Sequence, residues 1–132
     1  MKTICRLSLS TFPPAALIPA LLGLYEGITR MNVAFLRASP KTPLLLKSGV
    51  RWRREGSPEI VKTIPEILRD GYDDCEGLAS WRAAELRVRF NKPSARVMVY
   101  QARPKVWHAI VEDPRTGRHW DPSRQLGMRG SA

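Results

Sequence analysis

The sequence predicts an α+β domain in which one helix packs on a small antiparallel sheet. Two observations carry this. Residues 75–90 are rich in strong helix formers and place Ala79, Ala83, Leu86 and Phe90 on one face, with Cys75 four residues before Ala79. The segments 95–102, 106–112 and 118–121 alternate as strands, each leaving one apolar face to cover. At 132 residues the chain has room for a single domain. Its 43% hydrophobic content supplies a core and excludes a wholly disordered chain. No apolar run reaches the roughly 18 residues that a membrane-spanning helix needs.

Taken in order, Lys2 and Arg6 precede a largely apolar stretch from Phe12 to Tyr25, which loosely imitates a secretory signal. Pro13, Pro14 and Pro19 interrupt it and no small-x-small cleavage site closes it, so secretion is not expected and the expected location is cytoplasmic. Leu17, Leu21, Leu24, Ile28, Met31 and Phe35 recur by fours and threes, the spacing of a helix of about five turns with one apolar stripe. Residues 1–40 are thus a helical extension ahead of a core domain over 41–132. Packing against that domain is the leading role for the helix. Docking on a partner protein or a membrane surface is the alternative.

Beyond Pro40 and Pro43, Leu44 to Leu46 is a short apolar run, and Arg51-Trp52-Arg53-Arg54 reads as a solvated strand with one inward tryptophan. Thr63-Ile64-Pro65-Glu66 carries the capping-box pattern, with proline tolerated in the first turn, and Gly71 stops that short helix. Asp74 is a good N-cap for the helix that follows, so Cys75 falls in its first turn beside unpaired backbone N–H groups. Asp113-Pro114-Arg115-Thr116-Gly117 joins the last two strands into a hairpin.

There are 22 Lys plus Arg against 12 Asp plus Glu, a net charge of +10. Such a surface favours polyanions: nucleic acid, anionic cell wall or an acidic protein. Nucleic acid rests on that charge alone, because no recognised nucleic-acid motif is present. Cys5 and Cys75 form no disulfide framework and lack the paired spacing of a metal site; no cofactor or metal is expected.

Three residues stand out together. Cys75 opens a helix, His108 sits mid-strand, and Asp121 ends the next strand. Pairing Asp113 with Arg118 sets Ile110 opposite Asp121, which puts Asp121 on the His108 face and diagonal to it. Thiol, imidazole and carboxylate in this order are a nucleophile, a base and an orienter. At Cys75 the helix start and an imidazolium favour thiolate while Asp73, Asp74 and Glu76 oppose it; the expected balance is a thiol more acidic than a free cysteine.

At these segments the chain resembles the transglutaminase-like branch of the papain-fold cysteine enzymes. The Cys motif is matched by Gly71-Tyr72-Asp73-Asp74-Cys75-Glu76-Gly77-Leu78-Ala79, the His motif by Trp107-His108-Ala109-Ile110-Val111-Glu112, and the Asp motif by Trp120-Asp121-Pro122-Ser123. Short stand-alone phage and bacterial members are most similar, through Ser48-Gly49-Val50-Arg51, Trp81-Arg82-Ala83-Ala84-Glu85-Leu86 and the stretch to Met128. The likeness covers about residues 44–128. The family usually has glycine where Asp73 stands. The resemblance implies a papain-like transglutaminase core. It also implies a cysteine hydrolase or acyltransferase acting on peptide or isopeptide bonds of a peptide or protein substrate through a thioester, with Cys75, His108 and Asp121 as catalytic triad. The Cys75 backbone N–H is the expected first oxyanion donor, with Trp52 or Tyr72 as second. The alternative is a phage virion or assembly protein that keeps this fold, cytoplasmic or virion-associated, with virion or other protein partners bound through the N-terminal helix. His119, beside the turn, is expected to be exposed and outside the site.

Overall fold

The structure, a computed structural model, describes residues 6, 8, 10–56, 59–104 and 106–129. Cys5 lies outside them.

Helix α1, Pro14–Ala38, starts behind Pro13 with proline in its first turn, where the missing N–H costs nothing. Its buried residues are Tyr25, Thr29, Asn32 and Leu36. The face turned inward is therefore one position on from the apolar stripe expected from spacing: Leu24 and Met31 are 37% and 58% exposed. Polar partners select this face. The Asn32 side-chain oxygen accepts the Ile64 backbone N–H at 3.0 Å, Thr29 returns its hydroxyl to the Tyr25 carbonyl at 2.7 Å, and Glu26 takes two bonds from Arg87 at 2.6 and 3.0 Å. A count of hydrophobic side chains does not see such pairings.

After a 3-10 turn over Leu45–Lys47, strand β1, Arg51–Trp52, lies parallel to β2, Tyr72–Asp73, with Trp52 opposite Asp73. This two-residue parallel pair adds to the expected sheet. Between its strands, helix α2, Ile64–Asp70, begins where Glu66 accepts the Thr63 backbone N–H and hydroxyl, at 3.2 and 3.0 Å, and ends at Gly71 with φ 82°.

Helix α3, Cys75–Arg89, is the centre of the fold. Cys75, Ala79, Ala83 and Leu86 meet Tyr25 and the inner face of a three-stranded sheet; Leu78, Trp81 and Ala84 meet Leu36, Leu45, Ile64 and Ile67 on the other side. Small side chains let the neighbours approach on both sides. Glu85 is fully buried, yet its carboxylate is satisfied by the Leu45 N–H at 2.8 Å and Arg82 at 2.6 Å. Phe90, expected on the inner stripe, is 43% exposed. It is the C-cap residue, and Asn91 turns the chain at φ 51°, so Phe90 lies under Arg82 at the surface.

Strands β3 (Arg96–Arg103), β4 (Val106–Asp113) and β5 (Arg118–Trp120) form an antiparallel sheet in that order. β4 and β5 pair Asp113 with Arg118, Glu112 with His119 and Val111 with Trp120. The turn is fixed by Gly117, φ 73°, whose N–H bonds the Asp113 carbonyl at 2.8 Å. Asp121 then caps the short helix α4, Pro122–Gln125. The architecture is α+β, with α1 lying along α3 and reaching β3, and α3 on β3 and β4. Among the described residues, no helix is long and apolar enough to cross a membrane.

Candidate active site

The β4–β5 ladder ends with Val111 opposite Trp120, and Asp121 follows directly as the N-cap of α4. The side chains meet: His108 Nε2 is 2.8 Å from Asp121 Oδ2. Asp121 Oδ1 also takes the Arg124 N–H at 3.3 Å. Burial works against the Asp121 carboxylate, but the His108 and Arg124 bonds outweigh it and hold the group below its ordinary range. The carboxylate fixes the ring, and the edge of Tyr100 packs on His108 at 5.5 Å between centroids. His108 is 1% exposed, and its Nδ1 has no hydrogen-bond partner among the described residues.

Cys75 is the first residue of α3 and shares with His108 a cleft of about 250 Å³. The backbone amide of Ala109 on β4 acts on the sulfur in the thiolate's favour. The thiol is not acidified. Burial comes first, then the Glu76 charge, and with Asp74 they push it above its ordinary range, against the Ala109 amide. The expectation of an acidic thiol is therefore overturned for this resting arrangement. The carboxylates face the sulfur rather than solvent, and the helix-start effect, about 1–2 kcal/mol at most, is too small to offset them.

The Cys75 backbone N–H, expected as the first oxyanion donor, gives its hydrogen bond to Asp74 Oδ1 at 2.8 Å. Trp52 lines the cleft, and its indole Nε1 is buried without a partner among the described residues. Tyr72 is held elsewhere, its ring under Arg53 at 4.7 Å and Lys62 at 4.2 Å, outside the cleft lining. His119 is exposed, 3.9 Å from Glu112.

Asp73, at the position where glycine was expected from the resemblance, is 1% exposed, and its carboxyl fills the space above Gly77. Burial pushes it up to about 7, against a lowering contribution from the Asp74 backbone amide. Several wall residues escape a reading of motifs. Tyr25 arrives from α1, where it sits off the apolar stripe, and Glu59 comes from the irregular segment before α2. Trp107 alone had a signal, as the neighbour of His108. Asp74, Cys75 and Glu76 offer donor atoms within 4.8 Å of one another, but consecutive residues at a helix start form a narrow set without histidine.

Comparisons with family models, with curated proteins and with solved structures find no match to this chain.

Proposed function

We propose that the protein is a cysteine hydrolase or acyltransferase acting on peptide or isopeptide bonds through Cys75, His108 and Asp121. The observation that carries this reading is the His108–Asp121 bond at 2.8 Å, which commits Nε2 and leaves Nδ1 free in the cleft that holds the Cys75 sulfur. In the reaction His108 Nδ1 takes the thiol proton as the sulfur attacks the acyl carbon. The resulting imidazolium is stabilised by Asp121 and returns the proton to the departing amine. The thioester is then opened by water or by a second amine, with the imidazole acting again as base. Trp52 Nε1 is the donor for the tetrahedral oxyanion.

The raised thiol fits a dyad that transfers its proton only when substrate arrives, rather than a preformed ion pair. The same observation favours a second reading, a phage virion or assembly protein that keeps the fold with an inactive site. An activity-based thiol probe with mass mapping separates the two. Labelling of Cys75 that is lost in His108→Ala while the fold is kept supports the enzyme; labelling indifferent to His108 supports the structural protein.

A further inference from the structure

The Cys75 backbone N–H is bound to Asp74 Oδ1 at 2.8 Å, which leaves Trp52 Nε1 as a lone donor for the oxyanion. The charge of a tetrahedral intermediate is stabilised by donors fixed in place beforehand, and one is a sparse set. Helix α1 brings a further hydroxyl to the same wall. Tyr25 is 3% exposed, belongs to the core cluster of Cys75, Ala79 and Ala109, and lines the cleft that holds Cys75, His108 and Trp52. Its ring is seated by that packing, but its hydroxyl makes no hydrogen bond to the described residues. The groups whose charge acts on the hydroxyl are Glu76, Glu59, Cys75 and Asp74, and all four line the cleft, so the Oη end faces the cleft rather than the core. A buried hydroxyl normally has a partner.

We infer that the Tyr25 hydroxyl is a second oxyanion donor, so that α1 contributes a catalytic residue to the site. The inference rests on the acyl-transfer reading above. As the sulfur attacks, the S–C bond forms, the thiol proton passes to His108 Nδ1 and the carbonyl π pair moves onto oxygen. That oxygen accepts from Tyr25 Oη–H and Trp52 Nε1–H, and Tyr25 keeps its proton. When the pair returns, the C–N bond breaks and His108 gives its proton to the departing amine. Burial, then the Glu76 charge, push the phenol above its ordinary range, so it remains a donor at neutral pH.

The test compares two single-turnover reactions of Cys75 in the full chain at mildly alkaline pH, each read by mass mapping. Acetylation by p-nitrophenyl acetate passes through a tetrahedral oxyanion. Thiolation by methyl methanethiosulfonate does not, and follows thiol acidity and access alone. Tyr25→Phe keeps the ring and its packing and removes only the donor. The expected result is a fall of about tenfold or more in the acetylation rate divided by the thiolation rate. An unchanged ratio overturns the inference, including one in which both rates drop together, as a structural defect would make them. Failure of the acyl chemistry shows separately. A natural chain that is not acetylated at Cys75, or whose acetylation His108→Ala leaves unchanged, refutes that chemistry and the donor with it. Acetylation that depends on His108 while the ratio is indifferent to Tyr25→Phe keeps the chemistry and removes the donor alone.

Discussion

The carboxyl of Asp73 occupies the volume that any side chain at Gly77 would fill. Aspartate at the turn and glycine one helical turn into α3 are therefore a matched pair. Gly77→Ala forces the buried carboxyl out of place and should destabilise by about 2–3 kcal/mol, the usual size of an overpacking defect. Asp73→Gly in the same chain should recover most of that loss, a coupling that urea denaturation of the four-member cycle measures directly. Additive losses would mean that the two positions do not share the space.

Asp73 also sets a pH dependence. Its carboxyl moves from an ordinary value of 3.8 to about 7 on folding, so between those values the folded chain holds a proton that the unfolded chain has released. Stability from this group is full below about pH 4 and lost as pH rises towards 7, a change on the order of 3 kcal/mol. Asp73→Asn should unfold at higher urea than the natural chain at pH 8, with the two converging at pH 4. A parallel offset at both pH values would sink the assignment.

Glu76 leads to a different profile at Cys75. Because Glu76 is raised to about 8, its charge opposes the thiolate only above that pH. Glu76→Gln should therefore alkylate several-fold faster with iodoacetamide at pH 9 and no faster at pH 6.5. Equal acceleration at both would point to a change in access rather than charge.

Local rules reach as far as the elements and the meeting of His108 with Asp121. The helix start at Cys75, the hairpin turn at Gly117 and the strand alternation are short-range features, and the Asp113–Arg118 pairing sets the hairpin whose end brings Asp121 to His108. What sequence patterns miss depends on the whole chain. The inward face of α1 is chosen by Asn32 and Glu26, whose partners Ile64 and Arg87 lie more than thirty residues away. The Cys75 thiol is set by burial and by carboxylates whose direction no spacing reveals. Asp74 can be read as a cap from sequence, but its capture of the Cys75 N–H needs coordinates.

The Glu26–Arg87 contact is the main polar tie between α1 and α3, and it holds Glu26 below its ordinary range. Glu26 is 36% exposed at its side chain, so solvent screens the pair and Glu26→Gln should cost only about 0.5–1 kcal/mol. The same change should raise hydrogen exchange along 20–38 more than along 96–103. Uniform exchange would show that apolar packing alone seats the helix.

Trp52 tests the oxyanion role apart from the triad. If its Nε1 donates to the tetrahedral intermediate and not to the resting carbonyl, Trp52→Phe keeps the aromatic wall but removes a donor that counts only in the transition state. The expected outcome is a fall of about 10²–10³ in kcat with KM nearly unchanged, against a fall of about 10³–10⁴ for His108→Ala. Single-turnover measurement of thioester formation should show the Trp52→Phe defect in the acylation step itself. A change confined to KM would make Trp52 a wall for the substrate and move the oxyanion to another donor. Trp52 also hydrogen-bonds through its backbone N–H to Leu126 at 3.0 Å, a contact the Phe variant keeps, so loss of the strand does not explain a kcat effect.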